Sequence, residues 1–148
     1  MGVNPDIAGR SYPPARVYEV GRAKIAEFAA AIQSDDPAHT DPEAARAHGH
    51  PDVIAPPTFA IIVAQRAESA VVQDPESGVD YSRVLHGEQR FTHHRPIVAG
   101  DRLVATPHVD GVRQAGGNAL VTTRVEIATD SGEPVSTALS IIVVRGGA

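Results

Sequence analysis

The stretch Ser34-Asp35-Asp36-Pro37-Ala38-His39-Thr40-Asp41 places one histidine among three carboxylates. A histidine is the side chain best suited to giving and taking protons near neutral pH, and a nearby carboxylate can orient or charge it. His39 is therefore the candidate acid–base group. Its other reading is a loop histidine hydrogen-bonded to Asp35, Asp36 or Asp41. The aspartates have a plain explanation of their own, because Asp favours loops and helix starts. Asp41 reads as a helix cap rather than a catalyst. The chain holds seven histidines, with His48 close to His50 and His93 beside His94. Adjacent residues on a strand point to opposite faces, so His93 and His94 are not expected to share a ligand sphere. His-Glu-x-x-His spacing is absent. No metal site and no cofactor are expected.

These residues need a scaffold, and hydrophobic periodicity outlines one. Arg16 to Val20 is rich in β-formers and predicts a short first strand ending at Gly21. From Arg22, the apolar residues Ile25, Phe28, Ala29 and Ile32 fall on one helical face, and Pro37 stops that helix. A short helix follows, with Asp41 as N-cap, Pro42 in the first turn and Gly49 at the stop. Beyond a proline-stiffened loop, Thr58 to about Gln73 carries Phe59, Ile62, Val63, Ala67, Ala70 and Val71 at helical spacing. Ala60, Ile61 and Ala64 widen its apolar face, so this helix should be buried over much of its circumference.

After Gly78 the period becomes two. Residues 84–94, 102–114, 119–129 and 134–145 read as an antiparallel meander, with Gly116-Gly117-Asn118 and Asp130-Ser131-Gly132-Glu133 as hairpin turns. Val121, Thr123, Val125 and Ile127 share one face of the third strand. Val135, Thr137, Leu139, Ile141 and Val143 do the same in the fourth. Pro107 marks an edge or a bulge. The expected fold is α+β: a single domain over 1–148, with a long curved antiparallel sheet wrapped around a central apolar helix. Pairing with a second copy or a relative would cover the open edge of the sheet.

Composition narrows the function. The 148 residues suit one domain, and a formal charge of −5 argues against a nucleic-acid surface. There are no cysteines, which excludes disulfides, thiolate metal sites and a cysteine nucleophile. No signal peptide is visible, and the longest apolar runs fall far short of the roughly 20 residues a membrane helix needs. A soluble cytoplasmic protein is the expectation. Arg83, Arg90, Arg95 and Arg102 cluster in sequence and read best as exposed strand-end charges, the other reading being a phosphate or acidic-carrier contact. Arg66 is either a buried partner of a carboxylate or a residue at a dimer contact.

The segment FAAAIQSDDPAHTDPEAARAHGHPDVIAPPTF resembles the MaoC-like hotdog-fold (R)-specific enoyl hydratases and (3R)-hydroxyacyl dehydratases. FTHHRPIVAGDRL, from Phe91 to Leu103, resembles the strand-turn-strand of the same family. The likeness spans nearly the whole chain and is nearest the A-subunit type of actinobacterial heterodimeric dehydratases. It implies a fatty-acid-metabolism role on acyl-CoA or acyl carrier protein substrates, in a homodimer or a heterodimer with a catalytic MaoC-like subunit. Family members use an Asp and a His as acid–base groups and a backbone N–H at the start of the central helix for the thioester oxygen. His39 matches the family His and Asp36 stands where an Asn usually lies. The family Asp falls on Ser34, whose hydroxyl is no base without a second group to activate it. The family's oxyanion glycine falls on Pro57, which has no N–H. The resemblance also places Ile54, Pro57, Thr58, Phe59, Ile62 and His86 along the acyl site. It implies a subunit with little activity alone; the alternatives are a self-sufficient hydratase using His39, a hotdog thioesterase, or an acyl-CoA-binding module.

Overall fold

The computed structural model describes residues 2–148. In chain order the elements are β1 (Tyr18–Glu19), α1 (Arg22–Ala31), α2 (Pro42–Ala47), α3 (Ala60–Gln73), β2 (Val84–His93), β3 (Arg102–Ala115), β4 (Asn118–Thr129) and β5 (Pro134–Val144). The strands form one antiparallel sheet of five, in the order β1-β3-β4-β5-β2. The sheet curls around α3, which touches β3, β4 and β5. This is the hotdog arrangement expected from the order of elements. Among residues 2–148 no helix is long and apolar enough to cross a membrane.

Local chemistry accounts for most boundaries. The Asp41 carboxylate accepts from the Glu43 N–H at the start of α2, and Gly49, at φ +88°, turns the chain after its end. The β3–β4 hairpin closes over Gly116 and Gly117, both with positive φ, a geometry that suits a tight two-residue turn. Helix α1 ends at Ala31 with paired closing bonds, Ser34 N–H to Ala29 O and Gln33 N–H to Ala30 O. Gln33 makes the reversal at φ +59°. That reversal leaves Ile32, expected on the buried face, 47% exposed.

Pro107 lies inside β3, opposite Val125. Its carbonyl accepts from the Tyr12 N–H, so its backbone polar groups face away from β4 and the missing donor costs the ladder nothing. Residues 9–15 run beside β3 there, with Gly9 N–H bonded to Val109 O and Ala15 N–H to Ala105 O. The bulge lies just beyond, between Val109 and Gly111.

The core has two parts. The larger one packs Ile25, Phe59, Val63 and Ala67 against Leu103, Ala105, Val125, Ile127 and Ala138. The smaller one joins Ile7 and Val71 to Val109, Val121 and Ile142. In β4 the inward row is Val121, Thr123, Val125 and Ile127, as the alternation indicates. In β5 the buried row is Ser136, Ala138, Ser140, Ile142 and Val144, with Val135 also buried next to a register shift. Thr137, Leu139, Ile141 and Val143 share one face, but it is the half-buried outer one. The physical reason is room: α3 lies against the inner face of β5, and the small serines and alanine fit beneath it.

Candidate functional site

A cavity of about 430 Å³ opens where three short segments meet. Its walls include His39 and the capping Asp36 of the Pro37–His39 turn, Ile54 to Pro57 from the loop before α3, and His93 to Ile97 at and beyond the end of β2. The Ile54 backbone joins these walls. Its N–H donates to Ala38 O at 3.0 Å, and it bridges Val98 on its other side. Ala55 N–H to Ile97 O and Ala99 N–H to Val53 O complete the junction.

His39 is 6% exposed. Its Nδ1 lies 2.6 Å from the Ile54 carbonyl oxygen. A carbonyl only accepts, so Nδ1 carries the proton and Nε2 of the neutral ring is the nitrogen left to exchange one. The Asp36 carboxylate accepts from the Ala38 N–H and caps the turn that carries His39. Ser34 is half-buried at the end of α1 and is not among the cavity's lining residues.

Across the cavity, the turn Pro57–Phe59 leads into α3. Pro56 and Pro57 have no N–H, so Thr58 carries the first donor of that turn. Thr58 and His86 sit together on a neighbouring groove with Ile61, Gln65, Gln89 and Phe91. Phe59 is fully buried in the core, edge-to-face with Tyr18 and Phe28, and Ile62 packs against the same cluster. The structure thus gathers Asp36, His39, Ile54 and Pro57 in one cavity and Thr58 with His86 in the next.

His93 and His94 both line the cavity. β2 ends at His93, so strand alternation no longer separates the two. The His93 ring stacks on Phe91 and lies 3.0 Å from the Ser136 hydroxyl. Among the described residues no three His, Cys, Asp or Glu side chains gather as a metal site.

Arg83, Arg90, Arg95 and Arg102 are each matched to an acid. Arg95 grips Asp101 at 2.8 and 3.0 Å and reaches Glu133, and these hydrogen bonds raise its pKa above the usual arginine value. Asp101 also accepts from Val98 N–H, so the clamp shapes the turn behind the cavity. Arg83 pairs with Asp80, Arg90 with Glu88, and Arg102 with Glu19 and Asp130. Arg66 lies over the Tyr18 ring, 5.0 Å from its centre. Arg22 holds Asp52 with two bonds of 2.8 and 2.9 Å. That contact, with the Val53 N–H, lowers the Asp52 pKa to about 2 and pins the loop carrying Ile54 to α1.

Residues 7–138 match the family described as FAS1-like, dehydratase domain region, and the chain belongs to it. Among its relatives is a UPF0336 protein of Saccharopolyspora erythraea, 56% identical over 148 residues, covering 100% of this chain and 95% of the relative. A chain of the C-terminally truncated HadBC (3R-hydroxyacyl-ACP dehydratase) complex from Mycobacterium tuberculosis is 33% identical, with a TM-score of 0.83 over 93% of this chain and 97% of its own. A MaoC-like dehydratase is also 33% identical, with a TM-score of 0.86 over 93% of this chain and 42% of its own. The MaoC-like dehydratase relationship therefore holds for the fold and the family.

Proposed function

We propose that this chain is the acyl-thioester-binding subunit of a (3R)-hydroxyacyl dehydratase or enoyl hydratase, with little or no activity alone. The reading carries the A-subunit role and a catalytic MaoC-like partner, in place of an active homodimer. One observation carries it: Pro57, on the cavity wall across from His39, has no N–H.

The chemistry explains why this matters. Dehydration removes an α-proton beside a thioester and protonates the departing β-hydroxyl, so charge builds on the thioester oxygen. A backbone N–H at that oxygen offsets the charge, and losing one such donor costs about 10²–10³ in rate. In the second half of the chemistry, His39 Nε2 can move a proton. The nearest cavity carboxylate, Asp36, is already occupied in capping the turn. A partner with an intact Asp, His and glycine would supply what is lacking. The substrate is an acyl thioester of CoA or of a carrier protein.

A second reading, a self-sufficient hydratase or thioesterase, draws on the buried His39 with its free Nε2. One assay separates the two. The chain is purified alone and co-purified with its partner, and hydration of a trans-2-enoyl-CoA is measured. The proposal expects the chain alone to fall about 10²-fold or more below the complex. It also expects His39→Ala in this chain to leave the complex active. Comparable activity from the chain alone, abolished by His39→Ala, establishes the second reading instead.

A further inference from the structure

The His39 cavity does not stand by itself. Pro57 lines it and Thr58 lines the next groove; His93 lines it and stacks on Phe91, which lines the next groove. That groove, of about 490 Å³, shares Gln65 and His86 with a third space of about 700 Å³. The three spaces follow the seam between α3 and β2. Thr58 to Glu68 spans ten residues, on the order of 15 Å along a helix.

The α3 side of this seam turns more polar along its length. Near the cavity the wall includes Ile61 and Phe91. Further on α3 contributes Gln65, Glu68, Ser69 and Gln73, beside the apolar Val72, Val84 and Ile142. Glu68 is the unusual member, a carboxylate only 8% exposed on α3. Its Oε2 accepts from the Thr123 hydroxyl at 2.5 Å, and Thr123 is fully buried. Oε1 takes no hydrogen bond from the described residues, and no cation pairs with the group. Among the described residues no buried side-chain oxygen lacks a partner, so Oε1 opens onto the groove, and a plain alkyl end that strips it of solvent leaves it without a donor at a cost. A ligand that brings a donor to it recovers that cost, and one that brings a methyl group does not.

We propose that Glu68 sets specificity at the far end of the acyl groove: it receives a hydroxyl or other hydrogen-bond donor on the distal part of the chain and turns away a plain alkyl end long enough to reach it. This inference rests on the acyl-binding reading above. A site built to bond a substrate hydroxyl discriminates strongly against the analogue lacking it, because its own polar group is left unmet. Short plain chains stop before Glu68 and pay nothing.

The test is calorimetric titration of the full chain, and of the co-purified complex, with straight-chain acyl-CoA thioesters of rising length and their ω-hydroxy counterparts. In the wild type, affinity for plain chains falls once they reach Glu68, and the ω-hydroxy counterpart binds about tenfold tighter or better. The double variant Glu68→Leu/Thr123→Val removes both polar partners together, which avoids leaving one of them stranded in the core. It should bind the long plain chain about tenfold tighter than the wild type and lose the hydroxyl preference. Glu68→Gln, close in shape and still an acceptor, should keep part of that preference. A folded double variant with the wild-type length profile and the wild-type hydroxyl preference overturns the role of Glu68. Failure of every acyl thioester to bind either form overturns the acyl-binding reading itself, and this inference with it.

Discussion

At the scale of single residues, the cavity depends on contacts that hold its walls rather than on groups that react. Asp52 is one such contact. Its hydrogen bonds from Arg22 and the Val53 N–H keep it ionised down to a pKa of about 2. An unfolded aspartate titrates near 3.9. A depressed folded-state pKa means that the stability contribution is complete above about pH 4 and is lost as pH falls toward 2. Arg22→Ala should therefore return the Asp52 pKa most of the way to its unfolded value, as read by NMR titration. It should also flatten the acid limb of the stability–pH profile between about pH 4 and 2. An unchanged Asp52 titration in the variant would sink the assignment. His39 depends on its neighbours in a similar way, because the Ile54 carbonyl fixes which ring nitrogen carries the proton.

At the scale of elements, α3 is held through Phe59 at its entry, where the first turn meets both the core and the cavity wall. Phe59 is fully buried and makes edge-to-face contacts with Tyr18 and Phe28 at 6.4 and 5.5 Å between ring centres. Phe59→Ala should cost about 3–5 kcal/mol, measured by denaturant unfolding. A loss below about 1 kcal/mol would mean that the cluster does not anchor the helix. The helical spacing from Phe59 to Val71, the Asp41 cap and the Gly116-Gly117 turn were legible because each is a local signal. The inner row of β5 was not. Its apolar alternation, Leu139, Ile141 and Val143, faces outward, and only the position of α3 decides that the small residues turn inward. The meeting of His93 and His94 with His39 was hidden for a related reason. It depends on where β2 stops and on how the 93–97 segment closes against the Ile54 loop. Glu68 gives no signal in the sequence, because a single carboxylate at helical spacing looks like a solvated residue until the sheet has closed around it.

At the scale of the whole molecule, the sheet ends on β2, which pairs with β5 on one side and has no strand on the other. β2 is ten residues long and contains no proline. Proteins usually blunt such an edge with charge, proline or a bulge. Here a register shift at Gly87 and the Arg90–Glu88 pair are modest obstacles. Gly87 also fits a close approach, since a Cβ there would come within 3.0 Å of Val143 Cγ2. Beside it, Leu85 is 50% exposed and sits opposite Val143, at the margin of the outer apolar row of β5. A second hotdog chain laid along this edge would satisfy the free backbone groups and cover Leu85. Burying the exposed half of Leu85 is worth about 1 kcal/mol, or roughly fivefold in an association constant. Leu85→Lys removes that gain and adds a charge to be desolvated, while its exposed position spares the monomer's core. Sedimentation of the chain, alone and with the proposed partner, should show the variant dissociating at concentrations about fivefold or more higher than the wild type. The melting temperature under dissociating conditions should stay the same. Equal dissociation constants for the two proteins would place the contact elsewhere. A variant that dissociates and also loses the enoyl-CoA hydration proposed for the complex would tie the edge to that reaction, because the seam between α3 and β2 lies directly behind it.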